Sequence, residues 1–408
     1  MKTTKNNKDV LISGAGVAGP ALAFWLNIYG FRTTIVEKAP AIRTGGYRVD
    51  IRGVATDIVR RMGLLKEVHD KGTAMQGSSM VNNDGKRIIN LDDPDIFGMR
   101  QAGDMEIMRG DLSAILYNAT KDNTQYIFDD SITSIIQTTE QVTVKFKMME
   151  EQSFDLVVAA DGLHSNVRKL AFNKENVFIK NLGYYVGIFT MPNYFKLDHW
   201  ELAFPAPGKV INVYSTHSTA EAKAFLMFAS ENIVYNYHNI DEQKAIIANG
   251  FKDTGWELPG MLKAMYDAHD FYFDSISQVH INTLANQRVV LLGDAGYCAS
   301  PASGQGTSLA LTGAYVLAGE LATAIDHCQA FVNYEREMKG FINLNQQLGI
   351  SVLKEMVPKS KMQVWFQNMA MRVMLHLPDK EKVFKSMVKK TQDAVNRAAN
   401  GIQLKSYQ

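Results

Sequence analysis

The chain opens on a mostly polar stretch, Met1 to Asp9, and then carries no charged residue from Val10 to Phe31. Within that run, Val10–Ile12 has the pattern of a short buried strand, the residues after Gly19 that of a helix, and Thr33-Thr34-Ile35-Val36 that of a second strand ending at Glu37. Further along, Leu112, Ile115, Leu116 and Ala119 predict a helix over 109–120. Apolar runs at 155–160 (in FDLVVAADG) and 288–292 (in RVVLLGDAG) predict two more buried strands. Between them the texture changes. Alternating runs at 184–191, 209–214 and 225–229, helical spacing over 239–267 and a strand over 270–276 predict a separate antiparallel sheet inserted into the first unit. After Gly306 the pattern is helical, and from Gln329 onward almost nothing favours a strand. Pro358 and Ser360 precede a helix with Met362, Trp365, Phe366 and Met369 at i, i+3, i+4 and i+7, and Pro378 is expected to end it. The last segment, 379–400, puts Val383, Phe384, Met387 and Val388 on one face. These helices are expected to cover the core and show their lysines to water, with a partner-binding or membrane-surface role as the alternative.

The glycines decide how the first apolar run is read. Lys2, Lys5 and Lys8 ahead of it resemble the start of a signal peptide, but Gly14, Gly16, Gly19 and Pro20 would weaken a membrane helix. G-x-G-x-x-G between a strand and a helix suits a dinucleotide turn instead. Gly14 would allow the tight turn, Gly16 the close approach of a pyrophosphate, and Gly19 tight packing of helix on sheet. Glu37, 18 residues past Gly19, stands where a carboxylate can accept from ribose hydroxyls. A glycine-rich core turn or a cleaved leader is the alternative.

Composition narrows the class. The chain has 408 residues, 46% hydrophobic and 21% charged, with a net charge of +1, so nucleic acid or an anionic membrane is not expected to be its main partner. Cys298 and Cys328 are too few for a disulfide framework, no Cys/His spacing suggests zinc, and a reducing cytoplasm is the expected location. No other apolar run approaches the roughly 20 residues of a membrane span. The twenty methionines read as gap-fillers of the core or as adaptable walls of a pocket.

Two more motifs follow buried strands. Asp161-Gly162-Leu163-His164-Ser165-Asn166-Val167-Arg168 is either part of a cofactor site or a capped turn. Gly293-Asp294-Ala295 leads through Pro301, Gly304, Gln305 and Gly306 to a helix starting near Thr307, whose free N–H groups would converge on one point.

Together these motifs resemble the class A FAD-dependent monooxygenases built on the para-hydroxybenzoate hydroxylase fold, over roughly residues 8–345. The resemblance implies an α/β fold: a Rossmann-like FAD-binding domain of the GR2 type over 1–75, 97–172 and 285–340, an inserted antiparallel β-sheet substrate domain over 76–96 and 173–284, and a C-terminal helical cap over 341–408. It implies that Gly14, Gly16, Val17, Ala18, Gly19, Glu37 and Lys38 hold the ADP half of FAD, with Arg43 and Arg109 nearby. Asp161 and Gly162 would serve FAD and NADPH, Gly293 and Asp294 the ribityl and ribose portion, and Pro301, Gly304, Gln305 and Gly306 the isoalloxazine. Each arginine has an alternative reading as a solvated charge or a structural ion pair. Within the family, IRTGGYRVDIRG (42–53), AADGLHSNVR (159–168) and the helical cap are similar to the tetracycline-inactivating branch.

The implied activity is NADPH-driven reduction of FAD, formation of a C4a-hydroperoxide with oxygen, and transfer of oxygen to a polycyclic phenol or enol such as a tetracycline. No metal and no catalytic side chain is required, since the flavin carries the chemistry. The chain is expected to act as a monomer. Competing readings are a hydroxylase of aromatic or polyketide metabolites, a flavin-linked reductase, and a non-catalytic flavoprotein or antibiotic binder. Tyr185, Phe189, Phe204 and Phe225 are either the substrate's far wall or core, and the last helices, with their methionine stripe, would close over the site as a lid. Gly296-Tyr297-Cys298 departs from the relatives' pattern after G-D-A, and Cys298 is expected to be packing.

Overall fold

A computed structural model of the chain describes residues 8–43, 45–93, 95, 99–172, 177–216, 218–375 and 380–407. Strand β1 (Asp9–Ser13), helix α1 (Ala18–Ile28) and strand β2 (Arg32–Glu37) form a parallel βαβ unit, as the apolar run predicts. A short ribbon pairs β3 (Arg48–Ile51) antiparallel with β6 (Met105–Met108). Between those two strands the chain makes α2 (Val54–Arg61), α3 (Leu65–Asp70), β4 (Gly77–Val81) and β5 (Arg87–Leu91). Helix α4 (Arg109–Asn118) and β7 (Thr124–Phe128) return to the first sheet. A small antiparallel sheet of β8 (Ile132–Gln137), β9 (Val142–Phe146) and β10 (Gln152–Phe154) leads to β11 (Leu156–Ala159) and α5 (Asn166–Ala171).

The inserted sheet is larger than its sequence pattern suggests. It contains β12 (Val177–Pro192), β13 (Trp200–Ala206), β14 (Lys209–Ser215), β15 (Glu221–Ala229) and, after α6 (Ile240–Phe251) and α7 (Leu258–Asp267), β16 (Tyr272–Ile281). With β4 and β5 it has seven strands in the order β16-β12-β15-β14-β13-β4-β5. The chain then adds β17 (Ala285–Asn286), β18 (Val289–Leu291) and α8 (Asp294–Tyr297), and finishes with helices α9 (Gly306–Thr323), α10 (His327–Met356), α11 (Lys361–Leu375) and α12 (Lys380–Ala399).

The first sheet runs β17-β18-β11-β1-β2-β7. Strands β1 and β11 are almost wholly buried, as strands covered on both faces are, which is why they read as unbroken apolar runs. From β1 the chain proceeds to β2 and β7 on one side and later to β11 and β18 on the other. The carboxyl end of β1 is therefore the switch point of an open α/β sheet, where a crevice forms.

In the seven-stranded sheet the pleat sorts the aromatic residues. Tyr185, Phe189 and Phe204 face a core shared with Ile247, Phe251, Leu258 and Met261 of α6 and α7. The opposite face carries Val186, Ile188, Val210, Phe225 and Met227. Core packing therefore accounts for three of the four proposed wall aromatics, and Phe225 alone turns to the other side.

The C-terminal stripe departs from expectation. Met362, Trp365, Phe366 and Met369 do lie on one helix, but they are exposed and cover no core. Among the described residues the helix lies against β5, β13 and α12, while the apolar packing at this end includes Val395 and Ala398 of α12 against Leu348. The segment 376–379, with Pro378, lies outside the described residues, as do the side chains of Val383, Phe384 and Met387.

The C-terminal tail is latched to α9. Lys405 Nζ is 2.8 Å from Glu320 Oε1, the Tyr407 hydroxyl donates to the same oxygen at 2.9 Å, and Asn333 donates to Oε2 at 2.8 Å. Burial alone would raise the Glu320 carboxyl, but the bonds from Lys405, Tyr407 and Asn333 outweigh it and hold the pKa below its ordinary value. A depressed carboxyl adds stability above its unfolded pKa and loses it as pH falls through the folded one. Glu320→Gln is accordingly expected to cost about 2 kcal/mol in urea unfolding at pH 7, with the difference from wild type shrinking below about pH 4. An equal difference at both pH values would contradict the latch.

Candidate functional site

The crevice at the end of β1 is shaped by glycines. Gly14 turns at φ +108°, and a Cβ there would lie 2.5 Å from the Ala160 carbonyl oxygen; a Cβ on Gly19 would lie 2.0 Å from the Gly14 oxygen. The first glycine thus lets the turn pass close to β11, and the third lets α1 sit on the turn. Gly16 faces the cavity, and its missing Cβ leaves room for Arg109, whose Nη2 would be 3.3 Å away. Arg109 opens α4, with its backbone N–H bonded to the Tyr47 carbonyl at 2.9 Å. Val17 and Ala18, at the start of α1, complete this wall.

Glu37 ends β2 beside the turn. Its Oε2 accepts from the Ala15 N–H at 2.9 Å and its Oε1 from that of Ala39 at 2.9 Å. Arg43 is mostly exposed, 3.7 Å from Glu37, and Lys38 is exposed; neither borders the cavity.

The second motif is largely a capped turn. Asp161 accepts from the Ser165 hydroxyl at 2.5 Å and from the N–H groups of Asn166 at 2.8 Å and Val167 at 3.1 Å. Arg168 is fully buried and donates to the carbonyls of Ala295 and Leu163, each at 2.6 Å, which ties this turn to the third motif. Gly162 and Leu163 border the cavity; Asp161 does not.

In the third motif Gly293 turns at φ +64° close against Ala18, and the Asp294 side chain opens onto the cavity. Enclosure by protein raises the Asp294 carboxyl, against the pull of the Cys298 thiol and Arg109. The departure at 296–298 resolves by side. Tyr297 points into the core, where Tyr334 donates to its hydroxyl at 3.0 Å, and Cys298 borders the cavity. Burial, followed by the nearby Asp294, pushes the Cys298 thiol well above its usual pKa, as suits packing and not a nucleophile. Pro301 starts one tight turn, Gly304 takes the left-handed conformation at φ +63°, and Gly306 and Thr307 present the N-terminus of α9 to the cavity. Gln305 departs from the expected lining: its side chain is wholly buried behind the loop, with neither amide atom bonded.

One cavity of about 430 Å³ joins these parts to the apolar face of the seven-stranded sheet. The same chain matches the family described as FAD binding domain over residues 7–340. A flavin-dependent monooxygenase of Legionella longbeachae is 40% identical over 356 residues, 87% of this chain and 91% of that protein. The chain belongs to the flavin-dependent monooxygenases. The crystal structure of tetracycline destructase Tet(55) superposes with a TM-score of 0.87 at 37% identity, covering 99% of this chain and all of that one. That of tetracycline destructase Tet(51) gives 0.83 at 35%, covering 98% and 99%. The monooxygenase thus has the α/β fold of the para-hydroxybenzoate hydroxylase type, with a helical C-terminal region and FAD as cofactor. The residues present fit that cofactor. The Gly16 cradle under Arg109 suits a pyrophosphate, the Asp294 carboxyl suits sugar-like hydroxyls, and the N-terminus of α9 suits the electron-rich edge of a flavin ring.

Two groups of the monooxygenase went unseen in the sequence. The first is a buried charge cluster at the sheet end of the cavity. Arg48 is paired with Glu201 and lies 3.8 Å from Glu106, its guanidinium 4.3 Å above the Tyr214 ring; Arg100 is 2.7 Å from Glu106, and Arg52 2.8 Å from Asp50. The stretch R-V-D-I-R at 48–52 carried a signal, since charges at every second position put Arg48, Asp50 and Arg52 on one strand face. Val49 and Ile51 join the core. The second group is His164, whose Nε2 is 3.0 Å from both oxygens of Asp274. Asp274 also accepts from Tyr235 at 3.2 Å and Tyr272 at 3.4 Å. Tyr272 borders the cavity with Tyr47, and burial holds both hydroxyls protonated.

Proposed function

We propose that the enzyme uses NADPH and dioxygen to oxidise, and so inactivate, a tetracycline-like polycyclic phenol or enol. The observation that carries this reading is the continuity of one cavity, from the Gly16 turn past Asp294 to the apolar wall of Ile188, Val210, Phe225 and Met227. The likeness to tetracycline destructases along nearly the whole chain supports it.

Bound FAD would supply the redox chemistry with oxygen. Arg109 would offset phosphate charge, and Asp294 would accept from hydroxyls of the cofactor chain. The free N–H groups at Gly306 and Thr307, with the partial positive charge of the N-terminus of α9, would stabilise negative charge on a flavin ring set against them. The sheet wall would exclude water and align a flat substrate. Tyr272, kept neutral and bonded to Asp274, would offer a polar edge to that substrate. In this reading 76–96 and 173–284 form the substrate-binding unit, 1–75, 97–172 and 285–340 the cofactor unit, and 341–408 the cap.

The test is oxygen uptake and NADPH oxidation by the FAD-loaded protein, with and without tetracycline. Substrate-stimulated turnover with a product heavier by one oxygen atom is expected. Turnover indifferent to tetracycline, or a metabolite hydroxylated in its place, would move the assignment to the broader hydroxylase class.

A further inference from the structure

Among the described residues of helix α11, five apolar side chains turn to water. Met362, Trp365, Phe366, Met369 and Val373 are 40% to 68% exposed. Their spacing of i, i+3, i+4, i+7 and i+11 places all five within an arc of roughly 100°. Single surface apolar residues are ordinary, whereas a contiguous stripe marks a surface that is covered in use. None of the five borders the cavity, so the stripe does not act as the expected inner face of a lid; Met356, at the end of α10, is the cavity's neighbour from this region.

Charge indicates what covers the stripe. Residues 359–390 carry eight Lys or Arg against two Asp or Glu, a net +6, in a chain whose total is only +1. Lys359 and Lys361 at the head of α11, and Lys389 and Lys390 on the adjoining α12, are exposed. A second copy of the chain would bring the same positive charge against this one. A nucleic acid would answer the lysines but leave the tryptophan, phenylalanine and methionines unmet. A bilayer surface containing anionic lipid answers both. The stripe would enter the headgroup–acyl boundary to a depth of about 5–10 Å while the lysines remain among the lipid phosphates. Among the described residues no helix is long and apolar enough to cross a membrane, so the contact is peripheral.

We propose that α11, with the lysines around it, is a docking face for an anionic phospholipid surface. Met356 stands five residues ahead of α11, so docking would bring the bilayer close to the cavity.

The FAD-loaded full chain should sediment with phosphatidylcholine vesicles containing about 30 mol % phosphatidylglycerol at least ~10-fold more than with pure phosphatidylcholine, with the difference falling as salt rises. Trp365→Ser/Phe366→Ser should lower that partition by ~10-fold, and Lys359→Glu/Lys361→Glu should abolish most of the preference for anionic lipid. Flavin content and lipid-free NADPH oxidation should stay unchanged in both variants, since these side chains stand outside the cavity. The proposal would be overturned by no sedimentation with either vesicle, by equal partition of wild type and variants, or by a dimer in sedimentation velocity that the double serine variant dissociates. Tighter binding to duplex DNA than to the anionic vesicles would also defeat it.

Discussion

Gly14→Ala is expected to leave purification without its yellow colour and with a clearly lower urea midpoint. Two costs add. The residue sits at φ +108°, where a side chain is strained by about 1–3 kcal/mol. Its Cβ would also lie 2.5 Å and 2.9 Å from the backbone oxygen and carbon of Ala160, which belong to a sheet-anchored chain and not to a movable side-chain end. The turn must shift, which threatens the Gly14 N–H bond to the Val36 carbonyl at 2.8 Å and hence the closure of the βαβ unit. The strain and the clash together cost about 3 kcal/mol or more; the share that the flavin-free protein relieves by shifting the turn weakens FAD retention by about tenfold per 1.4 kcal/mol, and the share it keeps lowers the urea midpoint. Gly16→Ala provides the contrast. Its Cβ would meet only the mobile end of Arg109 at 3.3 Å, so the apo protein should keep its urea midpoint while FAD binds about 10-fold more weakly. Absorbance of the bound flavin relative to protein, together with unfolding of the stripped protein, separates the two. If Gly14→Ala kept full flavin and full stability, the first glycine would not be shaping the cofactor turn.

The contrast between these glycines shows why this part of the chain was legible. The strand, the turn, the helix and the second strand are consecutive, and each glycine's task follows from its distance to the others along the sequence. The buried runs at β11 and β18 were legible for a similar reason, because a strand covered on both faces is apolar throughout. In the inserted sheet, alternation announced strands but not their orientation. Both faces are apolar, so nothing local distinguishes Tyr185 and Phe189, turned to α6 and α7, from Ile188 and Phe225, turned to the cavity. The pairing of β13 with β4, Trp200 opposite Gly77, joins segments more than a hundred residues apart and leaves no local trace. The Asp161 motif shows another limit. The same letters write a cofactor contact or a helix cap, and only the three bonds to Ser165, Asn166 and Val167 show that the carboxylate caps. The stripe on α11 was visible, but amphipathicity gives a helix its apolar face without saying that the protein covers it.

The charge cluster was hidden most completely, because Arg48, Arg100, Glu106 and Glu201 come from four separate segments, and its loss should be the costliest to the fold. Arg48→Met is expected to destabilise the protein by about 3–5 kcal/mol, since it leaves the Glu201 carboxylate buried without its cation. Burial already raises the Glu201 pKa, with Arg48 pulling it back down, so removing the arginine drives it higher still. A carboxyl raised in the folded state keeps its stability below the unfolded pKa and loses it as pH rises through the folded one. The deficit of Arg48→Met relative to wild type should therefore be largest at neutral pH and shrink on acidification. Glu201→Gln in the Arg48→Met background removes the stranded charge and should bring the urea midpoint back to within about 1 kcal/mol of wild type, as replacing both partners of a buried pair often does. Oxidation of the substrate proposed above should not recover in that double variant, because Arg48, Tyr214 and Glu201 also form the polar end of the cavity wall. Recovery of stability without activity would locate the cluster's role in the site. Additive losses in the two single variants and the double would instead mean that Arg48 and Glu201 are not coupled, and the reading of the pair would fail.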